Sequence, residues 1–246
     1  MQKYGVQLYG LRDIAEKDIR LAIKAAADTG YKYVEFAGFF DRTPEQICSY
    51  LDECGVEVIS SHTVIDQLKP ENLEKTVEYH KAIGNKNITM PFIWLNTRED
   101  LERSIEVINY ALPILKDSGI TLSVHNHYNE LLPTEYGVIP YDEIEARTDI
   151  SFQLDTFWAF FAGKDPVALM EHYYSIGRLS AIHLKDGLLD RSSKALGEGV
   201  APVEAVLTKA LELGIPIIVE SEGLDPNGTE ENARCFDFLK KYHDAH

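Results

Sequence analysis

Eight short apolar runs rich in β-formers recur along the chain, and a longer stretch of helical periodicity or irregular sequence separates each from the next. The strand runs fall at residues 4–8, 33–36, 56–60, 87–90, 121–124, 151–154, 179–183 and 215–219. Helical patterns fall at 13–29, 44–54, 70–83, 99–116, 166–175, 202–213 and 230–242. Proline stands near the first turn of several helices (Pro44, Pro166), where a missing N–H is harmless. Gly30, Gly55, Gly84, Gly119 and Gly214 close helices ahead of the next strand. Strict alternation over eight strands, with no linker rich in Gly, Ser or Pro, predicts an α/β fold: a closed (β/α)₈ TIM barrel. An open doubly wound sheet is the rival. It would more often carry a Gly-rich phosphate turn after its first strand, whereas Gln7-Leu-Tyr-Gly10 is no such turn.

Composition narrows the function. The net charge of −16 speaks against nucleic acid, because phosphate binding needs clustered Lys and Arg, and none cluster here. No apolar run reaches the ~18 residues of a membrane span, and the first residues lack a signal-peptide core. A cytoplasmic protein with neither membrane nor nucleic acid as partner is expected. Its three cysteines, Cys48, Cys54 and Cys235, form no ligand pattern and are expected to be reduced and mostly buried.

In such a barrel the active site lies where the strands end and their following loops begin. Read in order, those positions carry Gln7, Glu35, His62, Met90-Pro91, His125-Asn126-His127, Asp155, His183 with Lys185-Asp186, and Glu220 with Glu222. Four of the eight histidines fall there; His80, His172, His243 and His246 fall on helices or the tail and are expected to be solvated. The last four strand ends supply His125, Asp155, His183 and Glu220, which can converge on one divalent metal ion. Mixed imidazole and carboxylate ligands suit Mn²⁺, Zn²⁺, Co²⁺ or Fe²⁺ better than Mg²⁺.

These same segments carry a resemblance. Gly5-Val-Gln-Leu-Tyr9, Tyr33-Val-Glu35, Ser60-Ser-His62, His125-Asn-His127, Leu154-Asp155-Thr-Phe-Trp158, His183-Leu-Lys-Asp186, Gly197-Glu-Gly199 and Ile218-Val-Glu220, taken in order, resemble the sugar phosphate isomerase/epimerase superfamily. These are xylose isomerase-like barrels that include ketose 3-epimerases and inosose dehydratase. The resemblance covers nearly the whole chain and implies a single domain over 1–246. It implies a metal set of Glu, Asp, His and Glu on strands five to eight. Asp155, His183 and Glu220 match, and His125 stands where the first Glu is usual.

The implied chemistry is proton transfer through an enediolate on a ketose or keto-polyol. Glu220 serves as ligand and base, and His125, Glu130 or His127 returns the proton. His62, His127, Trp158, Lys185 and Glu35 are the expected substrate-binding or orienting residues, with Glu35 alternatively paired to an Arg such as Arg12. Asp186 is expected to hold substrate or orient its neighbours, and Glu198 to do likewise or simply to face solvent. The partner is then a sugar or polyol, with an unphosphorylated one favoured because strands seven and eight offer no Gly-rich phosphate turn. The aromatics of 36–40 and 157–161 fit an apolar wall or the subunit interface of a homo-oligomer. A dehydratase (lyase) using the same enolate is the alternative activity, and a non-catalytic sugar-binding barrel a further one. DNA hydrolysis on this fold would need a larger metal cluster and a basic face.

Overall fold

The computed structural model describes residues 4–245. Eight parallel strands close into a barrel: β1 (Gly5–Gln7), β2 (Tyr33–Phe36), β3 (Glu57–His62), β4 (Asn87–Met90), β5 (Thr121–His125), β6 (Ser151–Asp155), β7 (Leu179–Leu184) and β10 (Ile217–Val219). The ring closes where Gly5 and Val6 of β1 pair with Ile218 and Val219 of β10. A two-stranded antiparallel hairpin, β8 (Asp186–Gly187) and β9 (Ser193–Lys194), interrupts the alternation after β7. The expected barrel is therefore present, with the hairpin as an unforeseen addition.

Among the described residues ten α-helices surround the strands: α1 (Arg12–Ala15), α2 (Ile19–Thr29), α3 (Pro44–Cys54), α4 (Leu73–Ala82), α5 (Arg98–Asp117), α6 (Pro140–Arg147), α7 (Thr156–Phe161), α8 (Pro166–Ser175), α9 (Val203–Leu213) and α10 (Gly228–Ala245). Local chemistry sets their starts. Thr43 and Gln46 form a reciprocal capping box at α3, and Pro44 in its first turn needs no N–H partner. Asp165 accepts from Val167 and Ala168 at α8. Asp18 accepts from Arg20 and starts α2, so the single helix expected over 13–29 is two helices. Strand side chains such as Val34, Ile88, Leu122, Phe152 and Ile182 are buried against helix residues such as Ile23, Ile47, Ile108 and Leu207 in the layer between barrel and helices.

Two further expectations need correction. His80 is buried, not solvated: Asn85 Nδ2 donates to its Nδ1 at 2.8 Å, its Nε2 lies 3.4 Å from Thr63 Oγ1, and Phe39 packs edge-on at 5.6 Å. Of the cysteines only Cys235 is buried; Cys48 and Cys54 are half-buried, and all three are free. His172 is on the surface with Glu145, His243 meets the Tyr4 hydroxyl, and His246 lies outside the described residues. Among the described residues no helix is long and apolar enough to cross a membrane.

Candidate active site

Strand register delivers the polar residues to one end of the barrel. Gln7 pairs with Glu35, His125 with Gln153, and Asp155 with His183, so neighbouring strands present polar side chains at the same height. One ligand atom each from His125, Asp155, His183 and Glu220 lies within 4.8 Å of all the others, and all four residues are buried. His62 joins His125 and His183 in a second overlapping group of three.

This cluster is organised by carboxylates. Glu35 is fully buried and accepts from Gln7 Nε2 at 2.7 Å and from Gln153 Nε2 at 2.6 Å. Its Oε1 lies 2.5 Å from His183 Nε2, while His183 Nδ1 faces Glu220 Oε2 at 3.2 Å. Burial disfavours a charged imidazole at His183, but Glu35 and Glu220 outweigh it and push its pKa up to about 10. Burial likewise opposes ionisation of Glu35, yet His62 and His183 draw its pKa down to about 2.

Lys185 is buried as well. Its Nζ donates to Glu220 Oε2 at 3.1 Å and Glu222 Oε1 at 2.5 Å, with Asp155 Oδ2 at 3.8 Å. Burial works against ionised Glu220, and the ammonium of Lys185 with the imidazolium of His183 more than reverses that, holding the carboxyl well below its usual range. Arg12 is not the partner of Glu35; its guanidinium donates to the carbonyls of Tyr9 and Glu222.

Asp155 does two jobs with its two oxygens. Oδ1 accepts from the backbone N–H of Trp158 at 2.8 Å and caps α7, while Oδ2 is buried with no hydrogen-bond partner. His125 Nδ1 is orphaned in the same way. Burial pushes Asp155 up to about 7 and His125 well below the usual imidazole range. Unpaired buried groups of this kind cost free energy unless something meets them. An acceptor-only carboxylate oxygen and a neutral imidazole, both unmet and gathered with two further donors, fit a divalent cation.

The neighbouring loops explain the other predicted residues. Asn126 clamps the ends of β5 and β6, accepting from Asp155 N at 2.9 Å and donating to Asp155 O at 3.2 Å. Glu130 is buried and accepts from His127 N at 2.9 Å; it braces this loop and does not border the cleft. Burial raises it to about 7 and lowers His127 to about 4. Trp158 stacks obliquely beside His127 and Tyr128, its ring 5.2 Å beneath the Lys185 ammonium.

Asp186 holds the loop after β7 and touches no site residue: its carboxylate accepts the N–H groups of Gly187, Gly197, Gly199 and Ala201. A side chain at Gly199 would run into that carboxylate and the Gly187 carbonyl. Glu198 pairs with Arg234 at the surface. Gln153 escaped the sequence reading, although its place two residues before Asp155 puts it on the same strand face. His62 Nε2 lies 2.9 Å from its Oε1.

A cleft of about 980 Å³ opens above the cluster. His62, His125, His127, Glu220 and Glu222 form its inner end. Asp155, His183, Lys185 and Glu35 are buried behind that surface, and half-buried Trp158 does not line it.

Comparison with known proteins agrees with this architecture. A curated relative, the 2-oxo-tetronate isomerase of Haemophilus influenzae, is 25% identical over 161 residues, which span 55% of this chain and 62% of that protein. A solved sugar phosphate isomerase/epimerase from Parabacteroides distasonis superposes with a TM-score of 0.82 at 22% identity, over 98% of both chains. A second one from the same organism gives 0.79 at 25% identity, over 97% of this chain and 93% of its own. The family model described as xylose isomerase-like TIM barrel matches residues 23–242. The chain belongs to the xylose isomerase-like TIM-barrel family.

Proposed function

We propose that this protein is a metal-dependent sugar isomerase or epimerase that moves a proton through an enediolate on a ketose or keto-polyol. The observation that carries the reading is Glu220. It borders the cleft, belongs to the four-donor cluster, and is kept ionised by Lys185 and His183. A divalent cation held by His125, Asp155, His183 and Glu220 supplies Lewis-acid polarisation of a substrate carbonyl.

The chain's own groups handle the proton. Glu220 is the base, and a positioned base of this kind contributes about 10²–10⁴-fold. His127 is the second proton-transfer group: it borders the same cleft, and burial keeps its imidazole neutral with a pKa of about 4. Glu130, set behind the loop, keeps His127 in place through its backbone N–H. His62, tied to Gln153 and Glu35, presents its ring edge to substrate hydroxyls. Return of the proton to the same carbon gives epimerisation, and to the neighbouring carbon isomerisation. The isomerase and epimerase names of the relatives support this class of chemistry.

The test is deuterium uptake from D₂O into a panel of ketoses and keto-polyols, with protein loaded in turn with Mn²⁺, Co²⁺ or Zn²⁺. Deuterium next to the carbonyl is expected, reduced at least 10²-fold in Glu220→Gln. No uptake into any member of the panel by loaded enzyme overturns the proposal, and release of water identifies a dehydratase instead.

A further inference from the structure

The cleft is larger than its catalytic end requires. At about 980 Å³ it stands at the top of the ~300–1,000 Å³ range of small-molecule sites. Its outer end is built from the β2–α3 loop, the β3–α4 connection and α4, including Arg42, Gln67, Asn72, Lys75 and Tyr79. These walls are joined: Tyr79 Oη donates to the Arg42 carbonyl at 2.7 Å, and Thr76 Oγ1 donates to the Gln67 carbonyl at 2.8 Å. Lys75 and Tyr79 are four residues apart on α4 and share a face.

Arg42 is singular among the arginines. All nine are described, and eight donate to a carboxylate, a carbonyl or a hydroxyl. The guanidinium of Arg42 has no such partner, and its Nε is buried. In a chain of net charge −16, carboxylates are plentiful, yet none is paired with this cation. Lys75, on the same cleft wall, has no ion pair either. Asp41 is the one carboxylate lining this end; it is exposed and forms no ion pair. The backbone leading to Arg42 is strained, with Phe40 at φ 50° and Asp41 at φ 56°, both in the left-handed region that non-glycine residues seldom occupy.

A planar guanidinium with free donors is matched to a carboxylate or phosphate, which it can grip through two parallel hydrogen bonds. We propose that Arg42 and Lys75 form an anion subsite, which holds a carboxylate or phosphate carried by the substrate at the end remote from the carbons that react beside Glu220. The proposal rests on the sugar isomerase/epimerase reading of the inner end. It replaces the neutral sugar expected from the sequence with an anionic one, bound through the β2–α3 loop and α4 and not beside strands seven and eight.

The test uses metal-loaded full-length protein and two readouts. The first is kcat/KM for a neutral ketose, its terminal phosphate and the matching terminal carboxylate. The anionic substrates are expected to lead by at least ten-fold. That ratio should collapse about ten-fold in Arg42→Gln, mainly through KM, recover partly in Arg42→Lys, and shrink at high salt. Which anion leads identifies the group. The second readout is calorimetric binding of inorganic phosphate and of acetate, weakened at least five-fold by Arg42→Gln and by Lys75→Gln. Turnover with equal preference for neutral and anionic sugars, or anion binding indifferent to both substitutions, overturns the subsite. Absence of turnover with every sugar, while anion binding still depends on Arg42, leaves the subsite standing and sinks the catalytic reading instead.

Discussion

Glu35 Oε1 sits 2.5 Å from His183 Nε2, across the barrel mouth from β2 to β7. The two residues are 148 positions apart, and both are fully buried. Because Nε2 is engaged, the other ring nitrogen is the one aimed at Glu220 and the donor cluster. Glu35 thus fixes the tilt of His183, one member of a four-donor cluster that Glu35 does not itself join.

Removing that brace loosens the cluster. Outer carboxylates behind a ligating histidine are worth roughly 10–100-fold in metal affinity. Glu35→Gln is expected to weaken Mn²⁺ binding by that factor while leaving far-UV circular dichroism unchanged. Titration followed by electron paramagnetic resonance measures it, and an unchanged affinity would refute the role.

His183 holds a proton up to about pH 10, and a ligating imidazole must be neutral. Cation binding near pH 7 therefore expels about one proton from this ring. Calorimetry in two buffers of different ionisation enthalpy counts it together with the fraction of a proton given up by Asp155, raised to about 7. Affinity should rise between pH 6 and 8; a flat profile would remove His183 from the ligand set.

Buried His80 makes stability depend on pH in the acid range. The unfolded chain takes up this proton near 6.5, the folded chain only near 4, because burial penalises the charged ring. The neutral ring is fully accommodated above 6.5, and stability falls as pH drops through the interval, by on the order of 3 kcal/mol. Urea midpoints at pH 7 and pH 4.5 test it: the drop in the His80→Gln variant should be visibly smaller than in wild type.

Asp186 carries four backbone N–H groups of the loop that follows β7. Its loss strands those donors, so Asp186→Ala is expected to cost roughly 3–5 kcal/mol, measured by urea denaturation. Asp186→Asn, which keeps one acceptor oxygen, should fall between that variant and wild type.

Much of this architecture was legible because period and punctuation agreed. The runs at 33–36 and 87–90 are the strands found, and Gly55 and Gly214 do close helices in the left-handed conformation. Helix α7 was hidden: Thr156–Phe161 reads as an apolar aromatic run with no polar face, and it is a helix because Asp155 caps it. The break in 13–29 turned on the cap at Asp18 rather than on periodicity. The donor set could be read from strand ends alone. What could not be read was the partner of each donor: Glu35 meeting His183, Gln153 meeting His62, and burial of His80 under Phe39 all join distant segments.

The four-donor cluster comes from residues 125–220, while most of the outer wall of the cleft is drawn from residues 37–92. The later half is stiffly interlocked: Glu231 of α10 ties down Ser221, Gly223 and Asp225 just beyond Glu220. Much of the outer wall, the β2–α3 loop and α4, takes no part in those ties. A lineage, or an engineer, can therefore exchange the β2–α3 loop to change which molecules are accepted while leaving the four-donor cluster in place.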